Sequence, residues 1–385
     1  MKKVLSIVSF ILIVGMLSSL IAIDVKSESN VYQFPLNTKS KEWKDMDHAE
    51  KAKVLNIPDE ILENLSTDAL LEVIVNYPLF IDILAYNTFD EGIKYVSMQF
   101  NGLEEFMSRQ DLTQVLLDEY QKIDINYVKN IEETDNMGDF NKLLFVESML
   151  FTEQVQKNMS EEQLIKLNLE ILDKQQQIDN EGDSYGLLNQ YKLMIEMNEV
   201  QGIELPSQQL ELVERAKQFY NNSSIDPLVV NTSVLTPRGS LVPAIIYGEL
   251  YTSDQKEQLK KQVYETYPGV NIISDATTNY NCHSYAWYQR LTSNNIWIPN
   301  PSKYLTDGSA TRTYSVTANI TRILYGYPDV RHSGICIEKK NNILSKWGAL
   351  PLVEHTWKNC PYFLAPELPV YFDLNLLFSR EDDSL

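Results

Sequence analysis

Apolar residues recur at helical spacing through the first half of the chain and in short runs with mixed spacing through the second, so helices are expected first and strands later. Leu143, Leu144, Val146, Met149 and Leu150 fall on one helical stripe, as do Leu164, Leu167, Ile171 and Leu172. Pro58 and Asp59 open a helix at the position that suits proline. The segment from Ser66 starts at a serine cap and stops ahead of Pro78. Asp111 caps the run "LTQVLLDEYQKI", and Ser160 with Gln163 makes a capping box before "LIKLNLEILDKQQQ". No clean repeat period emerges, and the stripes read as core.

The pattern changes at "NNSSIDPLVVNTSVLTPRGS", where Asn, Ser, Thr, Pro and Gly cluster as in a linker. Beyond it "SLVPAIIYGEL" reads as a strand and "GVNIISDA" as strand or extended chain, with a helix capped by Ser253 and stopped before Pro268 between them. "RHSGICIE" and "NNILSKWG" read as two strands joined by the turn "KKNN". The expected class is α+β overall. Its expected parts are an acidic helical domain (28–222), a linker (223–240), an α+β domain (241–375) and an acidic tail (376–385).

Residues 1–27 are excluded from the fold. Lys2 and Lys3 precede a 19-residue uncharged, mostly apolar run from Leu5 to Ile23, the build of a secretory signal peptide. An uncleaved membrane anchor is the alternative for a run of that length. After signal cleavage no membrane association is expected. From Glu28 to Leu235 there are 16 Lys/Arg against 38 Asp/Glu, a net charge of −22. That excess argues against nucleic acid and anionic surfaces as partners. It reads most simply as a solubilising helical surface, and any protein partner of this half is left open.

All three cysteines and three of the four histidines fall between Cys282 and Cys360. Cys336 and Cys360 form either a disulfide or two separate buried thiols. Cys282 sits at the expected start of a helix, where backbone N–H groups favour a thiolate. His332, at the start of an expected strand, is its candidate base, and a buried structural histidine is the alternative. Asn281 is a candidate oxyanion donor or a simple helix cap. His283 points about 100° from Cys282 around a helix and reads as a helix-start or cleft-wall residue. Trp287, Trp297, Trp347 and Trp357 are candidates for a cleft wall or for core.

"NCHSYAWYQR" resembles the cysteine motif of the CHAP amidase and endopeptidase family, through Cys282, Tyr285, Ala286, Trp287 and Arg290. "HSGICIE" resembles the histidine motif of CHAP and NlpC-type peptidases. Together they span roughly residues 270 to 350. The resemblance implies a papain-like fold for the C-terminal domain and hydrolysis of a peptide or amide bond in peptidoglycan. It further implies a secreted or cell-wall-associated protein of a Gram-positive bacterium. Cys282 would be the nucleophile and His332 the base. The family usually orients that histidine with a polar residue on the following strand. Here Ser345 and His355 are the candidates, and Lys346 would repel an imidazolium.

No cofactor and no metal are expected. A zinc site drawn from Cys282, His283, His332, Cys336, His355 and Cys360 is a weaker alternative. Residues i and i+4 of a strand, such as His332 and Cys336, lie about 13 Å apart, and no CxxC or HExxH occurs. A non-catalytic secreted binding protein on a degenerate hydrolase scaffold is the remaining alternative.

Overall fold

The computed structural model describes residues 32–123, 137–150, 152–179, 229–249, 251, 253–338 and 342–375. The expected signal peptide, the acidic tail, and most of the "KKNN" turn lie outside these residues. Helices and antiparallel sheet are both present, so the class is α+β. Among the described residues no helix is long and apolar enough to cross a membrane.

Every described element between residues 32 and 179 is helical. Helix Thr67–Val75 is opened by Ser66, whose Oγ accepts from the Ala69 N–H at 3.3 Å. Helix Glu161–Asp179 follows the capping box: Gln163 N–H donates to Ser160 Oγ at 3.2 Å and Ser160 N–H to Gln163 Oε1 at 2.9 Å. Asp111 precedes helix Leu112–Lys122 but its side chain does not cap it. Its carboxylate accepts from the Thr67 hydroxyl at 2.6 Å instead, because the neighbouring helix brings a stronger donor within reach.

The expected linker contains the first strand of a hairpin. β1 (Val229–Leu235) pairs antiparallel with β2 (Leu241–Tyr247). The Pro- and Gly-containing segment between them is the hairpin's turn. Thr236 N–H donates to Ser240 O and Gly239 N–H to Thr236 O, both at 2.9 Å, and Gly239 takes φ +81°. Turn chemistry and linker chemistry use the same residues, so composition alone reads either way.

The remaining strands are β3 (Asn271–Ser274), β4 (Ala310–Thr313), β5 (Thr321–Tyr325), β6 (His332–Cys336), β7 (Ile343–Lys346), β8 (Leu352–His355) and β9 (Val370–Leu374). They form one seven-stranded antiparallel sheet in the order β3-β8-β7-β6-β5-β9-β4. Strand alternation divides its side chains between two cores. Ile323, Cys336, Ile343 and Val353 face a core that also contains Trp43, Phe100 and Phe145 of the helical half. Leu324, Ile335, Leu344 and Leu352 face a second core with Tyr285 and Trp287 of helix Cys282–Trp287. The helical half thus covers one face of the sheet and the Cys282 helix the other.

Polar contacts fasten the helical half to the helix and loop segments around the sheet. Trp43 Nε1 donates to Thr266 O at 2.8 Å. His48 reaches Asp82 Oδ2 at 2.7 Å through Nε2 and Phe363 O at 3.2 Å through Nδ1. The Tyr267 hydroxyl donates to the other oxygen of Asp82. His48, Asp82 and Tyr267 are all buried, so each polar atom in this cluster depends on the others for a partner.

Candidate functional site

Helix Cys282–Trp287 begins where the sequence places it, with Cys282 as its first residue and Asn281 as its cap. Asn281 Oδ1 accepts from the Ser284 N–H at 3.0 Å and the Ile298 N–H at 3.2 Å. Its Nδ2 donates to Asn87 Oδ1 at 2.8 Å and Ile298 O at 2.7 Å. Both amide hydrogens are therefore committed, and the side chain acts here as a cap and a tie, with none left for an oxyanion.

The Cys282 side chain is 2 % exposed. Burial pushes its thiol up to about 12, against the opposing pull of the Ser333 and His283 backbone N–H groups aimed at the sulfur. The sulfur thus lies against the peptide that joins His332 to Ser333, with Glu91 and Lys346 among the charged groups nearby. His332 starts β6 and is fully buried. Its ring stacks on Tyr362 at 3.5 Å between centroids and 6° between planes. Neither ring nitrogen has a hydrogen-bond partner, so no such bond joins His332 to Cys282. Burial, with His355 and His283 nearby, holds this imidazole well below its ordinary range.

The residue of β6 that bonds the cysteine helix is Ser333, one position on and on the opposite face. Its Oγ lies 2.9 Å from both His283 Nδ1 and Trp287 Nε1. Asn87 Nδ2 donates to His283 Nε2 at 3.2 Å, which places the ring proton on Nδ1, donating to Ser333. Burial lowers His283 to about 3, so it is a neutral structural link.

Ser345 and His355 bond each other and do not reach His332. Ser345 Oγ is 2.8 Å from His355 Nε2 and accepts from Trp347 Nε1 at 3.1 Å. His355 Nδ1 donates to Thr356 O at 2.9 Å, and burial lowers the ring to about 4. Lys346 projects to the other side of β7, where Nζ donates to Thr277 O (2.9 Å), Gly348 O (2.7 Å) and Leu350 O (2.5 Å). Burial lowers it to about 7, opposed by Glu249 and Cys282.

Cys336 and Cys360 are free thiols, each pushed up to about 12 by burial; the disulfide alternative is not realised. Trp287, Trp297 and Trp347 are buried in the interior, leaving only Trp357 of the four partly exposed. No group of three or more His, Cys, Asp or Glu side chains suited to a metal ion occurs among the described residues.

Sequence reasoning missed Asn87, Ser333 and Tyr362. Ser333 carried a signal, since it neighbours His332 on a strand and alternation assigns the two to opposite faces. Asn87 and Tyr362 carried none, being turn and loop residues distant along the chain. No protein-family model, curated protein or solved structure matches the chain.

Proposed function

We propose that the chain is a secreted cysteine hydrolase, papain-like in its C-terminal half, that cleaves an amide or peptide bond of the kind found in cell-wall peptidoglycan. The observation that carries this reading is His332, buried beside the peptide that holds the Cys282 sulfur, with both ring nitrogens unpartnered. A neutral imidazole offers one donor and one acceptor. Leaving each unmade in the interior costs about 1–3 kcal/mol. Such unsatisfied groups in a folded protein point to a role other than packing.

In the proposed reaction the Cys282 proton passes to His332 and the sulfur attacks the carbonyl carbon. The amine leaves with the proton from the imidazolium, and water then cleaves the thioester and restores the thiol. In the resting arrangement both groups are neutral. With burial pushing the thiol up to about 12 and holding the imidazole well below its ordinary range, proton transfer from sulfur to ring is strongly uphill in this arrangement. Access of water or substrate to the site is what would ease it. The acidic helical half would hold substrate or a partner.

A second reading is a non-catalytic secreted binding protein on a hydrolase scaffold. It is favoured by Ser345 and His355 being bonded to each other, which leaves His332 without an orienting partner.

The test is incubation with peptidoglycan stem peptides and with a peptidyl chloromethyl ketone, read by mass spectrometry. The hydrolase reading expects new amino ends and a Cys282 adduct. Both should vanish in Cys282→Ala, and turnover should fall about hundredfold or more in His332→Ala. Product that survives Cys282→Ala, or the absence of both adduct and product in the chain and also in Asn87→Ala, which releases the start of the Cys282 helix, overturns it in favour of the binding protein.

A further inference from the structure

A stretch of the helical half packs on the start of the Cys282 helix, bonding the residues on either side of the cysteine. A 3₁₀ turn, Phe80–Ala85, leads through Tyr86–Thr88 into helix Phe89–Ser97. The stretch Leu84–Asn87 is held by three elements: the Asn281–His283 helix start, the Gly348–Ala349 turn after β7, and the Pro361–Tyr362 loop. Its main chain is recognised as main chain. The Ala349 N–H donates to Leu84 O at 3.3 Å, and the Tyr362 hydroxyl donates to Ala85 O. The Asn87 amide is held on both sides, accepting from Asn281 Nδ2 at 2.8 Å and donating to His283 Nε2 at 3.2 Å. Tyr86 packs edge-on against Tyr362 at 5.4 Å, and its hydroxyl donates to Pro361 O at 3.2 Å.

The fit leaves no spare room. A Cβ placed on Gly348 would lie 2.5 Å from Ala85 O and 2.6 Å from Tyr86 O. Two of the three elements flank reacting groups directly: Cys282 lies between Asn281 and His283, and Tyr362 carries the His332 ring. Close by, one carboxylate oxygen of Glu91 is buried without a partner, and burial raises that carboxyl above its usual range. The groups satisfied by the Leu84–Asn87 stretch are a backbone N–H, a phenol hydroxyl and an Asn–His pair. Carbonyls of any peptide chain would satisfy the first two, and a side-chain amide the third.

Resting on the cysteine-hydrolase reading, we propose that this three-sided mouth is a peptide-binding groove and that Leu84–Asn87 is its built-in occupant. The substrate class is then a peptide presenting main-chain carbonyls to Ala349 and Tyr362 and a side-chain amide to Asn281 and His283. The resting chain is blocked by its own segment, which accounts for a nucleophile and a base that are both closed off from solvent.

The experiment uses the full chain carrying Tyr86→Phe with Asn87→Ala, which removes the segment's own anchoring bonds and leaves the groove and the ring under His332 intact. Iodoacetamide labelling is followed separately at each cysteine by mass spectrometry. Cys336 and Cys360, buried in the shared core, report any general opening. Labelling of Cys282 should rise about tenfold or more relative to those two, the scale set by the lost hydrogen bonds. A synthetic peptide of residues Asp82–Glu91 should reverse the rise, and a scrambled one should not. Equal acceleration at all three cysteines, no acceleration at Cys282, or no effect of the peptide overturns the groove. A selective, peptide-reversible rise with an ordinary thiol pH profile that His332→Ala leaves unchanged keeps the groove and removes the hydrolase.

Discussion

Lowering the pH from 7 to 5 should weaken this fold, and the buried imidazoles are the reason. Burial lowers His283 to about 3 and His355 to about 4 from the ordinary 6.5, and moves His332 in the same direction. Below 6.5 the unfolded chain takes up protons that the folded chain refuses. Each group therefore contributes stability that is present at neutral pH and is lost as pH falls from 6.5 toward its folded value. At pH 5 that loss is about 2 kcal/mol for each of His283 and His355. Glu147 opposes it. Burial raises this carboxyl from 4.5 to about 8, so the folded chain keeps a proton that the unfolded chain gives up. Acidification from pH 7 to 5 returns about 2.5 kcal/mol there. The balance of these three groups is a loss of about 1 kcal/mol, and His332 adds to it. The assay is the urea midpoint, with its slope, at pH 7, 6 and 5. In His355→Gln the neutral-pH stability should fall, and the loss between pH 7 and 5 should shrink by about 2 kcal/mol. A pH dependence identical in the variant and the parent, or equal stability at pH 7 and 5, would refute this assignment.

Two further substitutions test how the helical half is joined to the sheet. Asp82→Ala leaves the His48 Nε2 and the Tyr267 hydroxyl buried without their partner, and should cost about 2–5 kcal/mol. Because the helices and the sheet share one core, circular dichroism and tryptophan fluorescence should report one coincident transition at a lower midpoint; two separated transitions would contradict a common core. Gly348→Ala puts a methyl group into the Ala85 carbonyl at a backbone φ of +51°, and should lower stability by about 1–3 kcal/mol in a denaturant melt. An unchanged midpoint would mean that the close approach of Leu84–Asn87 to this turn is absent in solution.

The sequence by itself determined the α+β class, the helix opening at Cys282, the serine caps and the neighbouring strands that carry His332 and Ser345. Each is written within a few residues. A cap bonds the backbone three positions on, and a strand shows its period over four or five residues. Local patterns also misled. The "TPRGS" turn looked like a linker because both use residues that leave regular structure, while Cys336 and Cys360 left open a disulfide or two buried thiols, of which the fold has the thiols. Lys346 is placed next to Ser345 by sequence, yet strand alternation sends it into a cage of three carbonyls on the far side of β7. Only the tertiary structure decided what meets the site. Asn87 lies 194 positions from Asn281, and Ala85 lies 277 from Tyr362. Such contacts exist because the sheet buries one face under the helices, and burial is also what neutralises the thiol and the imidazoles. No short stretch of sequence carries that information, since it belongs to the packing of two distant halves.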